Sequence, residues 1–216
     1  QAAQDVILRL DTSGHTAMIR KLIVTPGGKL VTASDDKTIR IWNPKTGREE
    51  RKILGHIGSD IEGKIYSIAL SPDGKLLASG GWTHPECAGQ CGNIRLHDFQ
   101  SGELLQILKG HENVVFDLAF SPDGRWLASG SGDKTVRLWR RSGNRVTIGP
   151  VLRGHENHVY AVRLFEDSGR LRVVSVSEDH TVRLWDAESG RQLSLGRHDD
   201  DVDSLVVGPD WIASAV

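Results

Sequence analysis

Three residue types that together can do nucleophilic chemistry recur along this chain. His111, Ser129 and Asp133 form one set, His15, Thr32 and Asp36 a second, and His155, Ser175 and Asp179 a third. A hydroxyl, an imidazole and a carboxylate are the parts of a hydrolytic triad, in which the imidazole takes the hydroxyl proton and the carboxylate orients the imidazole. Two observations oppose that chemistry. Each set is followed by a tryptophan at the same further spacing, Trp42, Trp139 and Trp185. A hydrolase also needs one activated nucleophile beside an open oxyanion pocket, whereas these sets come once per repeat. Repetition points to architecture, and no catalytic residue is expected.

Other candidate chemistry is thinner. Gly130-Ser131-Gly132-Asp133-Lys134-Thr135 has the glycines of a phosphate-binding loop. It lacks the Gly-Lys-Thr order and a following helix, so it reads as a hairpin. His84, Glu86, Cys87 and Cys91 are of metal-ligand type. They do not make four strong ligands at an established spacing, so no metal or cofactor is expected, and a disulfide or two inert thiols remain as alternatives. Asp199, Asp200, Asp201 and Asp203 could attract a cation, but no calcium-loop turn follows, and a solvated loop is the expectation.

The elements that must position these residues are short strands. Gly-His pairs at Gly14-His15, Gly55-His56, Gly110-His111 and Gly154-His155, with Arg197-His198 in fifth place, recur at 41, 55, 44 and 43 residues. Within one interval, strand-length apolar runs alternate with turn signals: ENVVFDLAF, SPDG, RWLASGS, GDK, TVRLW. Ser121-Pro122-Asp123-Gly124 suits a type I turn closed by a left-handed glycine, and it returns as Ser71-Pro72-Asp73-Gly74. No stretch has a sustained 3.6-residue apolar period, so the chain is all-β.

The combination of GH, SPDG, LASGSGDKTVRLW and Trp185-Asp186 resembles the WD-repeat family over almost the entire chain. The likeness implies a β-propeller of four-stranded antiparallel blades serving as an interaction platform. It also implies that each His, Ser or Thr, Asp and Trp set is a buried hydrogen-bonded network tying the loop before a blade's first strand to its second and third strands. Weaker, local likenesses extend to WD-repeat regions of prokaryotic multidomain proteins. The expected division is an outer strand of a closing blade (1–13), blades at 14–54, 55–109, 110–153 and 154–196, and half a blade at 197–216. About four to five blades fall short of a seven-bladed ring of roughly 300 residues, so the missing blades are expected from the rest of a longer chain or from another chain.

The second unit departs from the others. Five extra residues lie in IGSDIEGK and eight in GGWTHPECAGQCGN, while Cys91 and His97 stand where the network has Asp and Trp. Its bracing should be weaker. In the family both insertions emerge on one face, where Trp82 and His84 are candidate contact residues. Trp82 has a second reading, as a cap folded back on the weakened blade. A separate column sits just past the first apolar residue of each blade's first strand: Arg20, Tyr66, Phe116, Tyr160 and Asp203. Arginine and aromatics are the types enriched at binding hot spots, and in the family this column lies near the channel mouth, so the column is expected to bind a partner, with simple lining of the channel as the alternative.

Composition sets the remaining bounds. Among 216 residues, 27 basic and 28 acidic side chains nearly cancel, so neither nucleic acid nor an acidic membrane is an expected partner. No apolar run approaches the roughly 20 residues of a membrane span. Two cysteines argue against a disulfide-built secreted scaffold and favour the cytoplasm, with periplasmic or secreted locations open. The expected function is a non-enzymatic scaffold that recruits protein partners on one face. The alternative is the targeting propeller of a larger prokaryotic enzyme, such as a caspase-like protease or a signalling ATPase.

Overall fold

The computed structural model describes residues 14–55, 62–82, 92–208 and 211–215, and among them every regular element is a β-strand. The first sheet is β1 (Ile19–Val24), β2 (Leu30–Ser34), β3 (Thr38–Asn43) and β4 (Arg48–Leu54), paired antiparallel in chain order. The second is β5 (Ile65–Leu70), β6 (Leu76–Gly81), β7 (Gly92–Asp98) and β8 (Leu104–His111). The third is β9 (Val115–Phe120), β10 (Trp126–Ser131), β11 (Thr135–Ser142) and β12 (Arg145–Arg153). The fourth is β13 (Val159–Asp167), β14 (Arg170–Ser177), β15 (Thr181–Asp186) and β16 (Gln192–Arg197), and β17 (Ser204–Val207) pairs with β18 (Ile212–Ala215). This is the all-β propeller arrangement of four-stranded blades. The insertion residues His84, Glu86, Cys87 and Cys91, the N-terminal strand expected at 1–13, and His56 lie outside the described residues.

First strands of successive sheets are neighbours, β1 beside β5, β5 beside β9, β9 beside β13 and β13 beside β17. The apolar clusters lie between sheets rather than within one. Val31, Ile39 and Ile41 pack against Ile65, Ile68 and Leu77, and Ala78, Ile94 and Leu96 against Val115, Leu118 and Leu127. A middle strand is therefore covered on both faces, which is why β6 is buried along its whole length while the outer strand β4 alternates with solvent. Where faces come closest, no side chain fits. A Cβ on Gly130 would stand 2.9 Å from Cγ1 of Val159, and one on Gly80 would stand 2.8 Å from Cγ1 of Val115.

Turn chemistry holds the hairpins. Gly74 and Gly124 adopt φ of 68° and 69°, and their amides donate back to the carbonyls of Ser71 and Ser121. Pro72 and Pro122 preset the preceding φ, and a residue with a Cβ would be strained at the glycine. The β2–β3, β10–β11 and β14–β15 turns use Lys37, Lys134 and His180 at φ of 69°, 70° and 63° instead. These residues bear that strain because the aspartate beside them bonds the turn, Asp36 accepting from the Thr38 amide and Asp133 from the Thr135 amide, each at 3.0 Å.

Candidate interaction surface

The histidine sets come together inside three sheets. In the third, His111 Nε2 lies 2.7 Å from Ser129 Oγ and Nδ1 lies 2.7 Å from Asp133, while the Trp139 indole donates to the same Oγ at 2.9 Å. His155, Ser175, Asp179 and Trp185 repeat this at 2.7, 2.9 and 2.9 Å, and His15, Thr32, Asp36 and Trp42 at 2.7, 2.8 and 2.8 Å. With the imidazole neutral and its proton on Nδ1, every member is satisfied: indole to hydroxyl, hydroxyl to Nε2, Nδ1 to carboxylate. The charge states agree. Burial holds the His111 and His155 imidazoles below their ordinary pKa, outweighing the pull of Asp133 and Asp179. Burial alone would raise the Asp179 carboxyl, but bonds from Thr181, the Glu156 amide and His155 bring it down to about 2.

Sequence reasoning missed two members. Thr38, Thr135 and Thr181 donate to the aspartates, and Ser34, Ser131 and Ser177 donate to the carbonyls of Ala17, Asn113 and Asn157. Both types recur at fixed positions, a signal open to inspection. In the second sheet His97 occupies the tryptophan slot, since it pairs with Leu77 as Trp139 pairs with Leu127. Its Nδ1 is buried without a partner, and burial with nearby Arg95 lowers its pKa to about 4.

Arg20, Tyr66, Phe116 and Tyr160 share a backbone feature that the sequence did not disclose. Each is the extra residue of a β-bulge: Ile19 and Lys21 face Ser34 and Ala33, Ile65 and Ser67 face Gly81 and Gly80, and Val159 and Ala161 face Ser177 and Val176. Phe116 is skipped likewise between Val115 and Asp117. A bulge frees one residue from strand alternation and re-aims its side chain. Here it produces one row. The Arg20 guanidinium lies 4.9 Å from the Tyr66 ring centroid, Tyr66 meets Phe116 edge-on at 5.9 Å, and Phe116 meets Tyr160 edge-on at 5.2 Å. His158 joins at 5.7 Å from Phe116.

Charged groups flank the row. Arg20 donates two bonds to Asp35, at 2.9 and 2.8 Å, which hold that carboxyl below its usual range, and Lys64 stands 3.6 Å away. At the other end Tyr160 donates to Glu178 at 3.0 Å, and burial together with that bond pushes its phenol up to about 12. Trp82 is not part of the row. Its backbone extends the pairing of β6 to Gly63 and Lys64, and its indole nitrogen is buried without a partner. Among the described residues, His180, Asp200 and Asp201 bring ligand atoms within 4.8 Å of one another, but all three are exposed and no cation is assigned to them.

Below the row a buried carboxylate joins four sheets. Asp117 accepts from Lys21 Nζ at 2.9 Å, Ser67 Oγ at 3.0 Å, the Val162 amide at 3.2 Å and the Arg163 guanidinium. Burial would raise its pKa, but Arg163 and Lys21 more than offset this and keep it ionised. On the opposite side, where the β9–β10 and β15–β16 turns lie, a cleft of about 870 Å³ between the third and fourth sheets mixes Arg125, Arg140 and Arg170 with Glu166 and Glu188. No helix among the described residues is long and apolar enough to cross a membrane.

Comparison with known proteins agrees with this architecture. The model of the "WD domain, G-beta repeat" family matches residues 7–43, 47–98, 102–140 and 147–186. The chain is 33% identical to the nuclear distribution protein PAC1 of Coccidioides posadasii, over 74% of this chain and 35% of that protein. It is 30% identical to a guanine nucleotide-binding protein subunit beta of Zea mays, over 95% and 54%. A serine-threonine kinase receptor-associated protein of Gallus gallus is 27% identical over 90% and 49%. The chain thus spans about half the length or less of these curated relatives. Among solved structures, the RRP9 WD40 repeats superpose with a TM-score of 0.76 at 28% identity, covering 92% of this chain and 56% of that one. Repeat motifs, sheet topology and relatives converge, and the chain belongs to the WD40 repeat family.

Proposed function

We propose that this chain is a non-catalytic platform that holds protein partners on the face carrying Arg20, Tyr66, Phe116 and Tyr160. The observation that carries this reading is the row itself, in which four successive first strands each bulge at the same position and present an arginine or an aromatic. Rigid aromatics and arginine on a fixed scaffold are the anchors of protein interfaces. The relatives support it in kind, since their names describe a subunit of a larger assembly and a receptor-associated protein. The histidine sets serve as braces within the sheets. Ser129 and Ser175 are fully buried and already accept an indole N–H, so neither hydroxyl is free to attack a substrate.

Apolar side chains on the two outward sheets, Leu22 and Val24 on the first and Val206 and Trp211 on the last, are exposed. Further blades, from the same polypeptide or from another chain, would cover them. The test of the docking face is capture of partners by the intact protein and by variants. Tyr66→Ala and Phe116→Ala should each weaken capture by about 2 kcal/mol, whereas Lys45→Ala and Arg191→Ala, in turns on the other side, should change it little. Loss of capture on the far side, with the aromatics dispensable, would overturn the reading.

A further inference from the structure

The row ends in charge on both sides, but one end only is neutralised. At the first, a single guanidinium does two things: Arg20 lies 4.9 Å from the Tyr66 centroid and forks onto both oxygens of Asp35. Asp35 has a counterpart in the fourth sheet, since it precedes Asp36 as Glu178 precedes Asp179 in the equivalent turn. Among the described residues, Glu178 meets no permanent cation there. Its partners are the Tyr160 hydroxyl at 3.0 Å and His158 Nδ1 at 2.9 Å.

The same end gathers further negative charge. Asp203 follows Val202 as Tyr160 follows Val159, so the series reads Arg20, Tyr66, Phe116, Tyr160, Asp203. Asp201 and Asp203 are near enough to Tyr160 to help keep its phenol protonated, and both are exposed. Among the described residues, the basic group paired with Asp201 is His180, at 3.7 Å. Beside these carboxylates are the rings of Phe116 and Tyr160, inclined at 74° and 5.2 Å apart, with His158 5.7 and 6.2 Å from them.

We infer that the Phe116–Tyr160 end takes a guanidinium, the arginine side chain of an exposed segment of a partner protein, repeating with a foreign arginine what Arg20 does within the chain. The inference rests on this face being the docking surface and names what docks there. A planar cation gains from the negative face of a ring and from a carboxylate fork together, and both gains grow where the rings exclude water. An ammonium gives a point charge without the plane that stacks. Charge balance favours the same occupant, since a guanidinium offsets carboxylates that no lysine or arginine among the described residues pairs with.

Two blocked pentapeptides that differ in one residue test this, Gly-Gly-Arg-Gly-Gly and the same peptide with uncharged, isosteric citrulline. Each is titrated into the full chain at low ionic strength while NMR follows the ring protons of Phe116, Tyr160 and His158. The arginine peptide should shift these signals saturably and bind about tenfold or more tightly than the citrulline peptide. High salt should release it. Asp203→Asn and Glu178→Gln should each weaken it several-fold at an unchanged melting temperature. Equal shifts from both peptides, or none from either, would overturn the inference. A partner protein whose capture needs Phe116 but ignores Asp203→Asn and salt would also overturn it, while leaving the docking face in place. Failure of the docking face itself reads differently, as capture indifferent to Phe116→Ala.

Discussion

Removing the Ser129 hydroxyl strands two groups at once, because both the Trp139 indole N–H and His111 Nε2 use it. Neither can reach water, since His111 is fully buried and Trp139 nearly so. Ser129→Ala should cost about 1 to 3 kcal/mol in urea unfolding and abolish no hydrolytic activity. An esterase or peptidase activity lost in that variant at unchanged stability would restore the triad reading. His97 brings a pH dependence. Its folded pKa of about 4 lies below the ordinary 6.5, so protonation favours the unfolded chain. Stability from this group is complete above about pH 6.5 and falls as pH drops toward 4, where folded His97 charges as well; His111 and His155 act in the same direction. His97→Phe should shrink the loss of stability between pH 6.5 and 4.5, and parallel pH profiles for variant and parent would contradict the assignment. The His, Ser or Thr, Asp and Trp columns were legible in the sequence because their spacing repeats. Their protonation was not, since it depends on burial that only packing creates.

Strands in the second sheet should be less protected than their equivalents. β7 and β11 hold the same place, but Trp139 ties β11 to Ser129 whereas His97 leaves a ring nitrogen without a partner. Amides of Ile94 and Leu96 should therefore exchange faster than those of Val136 and Leu138 under native conditions. Equal protection would mean that residues of the insertions supply the missing brace. The substitution of His97 for Trp was plain in the sequence. The bulges were not. Arg20, Tyr66, Phe116 and Tyr160 stand out as a column, but a bulge is a relation between two strands, visible only when Val115 and Asp117 are seen to face Ser131 and Gly130. Nor did Trp82 declare its place. A tryptophan after two glycines suits an exposed contact or a folded cap, and neighbours distant in sequence decided that its indole nitrogen is buried.

Across the whole molecule, adjacent sheets are held by apolar faces and by Asp117. That carboxylate receives Lys21 from the first sheet, Ser67 from the second, and Arg163 and the Val162 amide from the fourth. Asp117→Ala leaves two cations without their partner and an inner-strand amide without its acceptor, and should cost about 3 kcal/mol by urea unfolding. A change below about 1 kcal/mol would show that Lys21 and Arg163 turn to solvent freely. Asp117 also marks the boundary of what sequence could tell. By itself the sequence determined the fold class, the order of strands and turns, and the repeated polar sets, because each follows from local patterns: alternation, turn chemistry and a period of some forty residues. Tertiary structure alone decided which side chains of different repeats meet. The row from Arg20 to Tyr160 and the convergence on Asp117 join residues as far as 96 positions apart. Contacts of that kind are set by how one twisted sheet lies against the next, a geometry that no local pattern encodes.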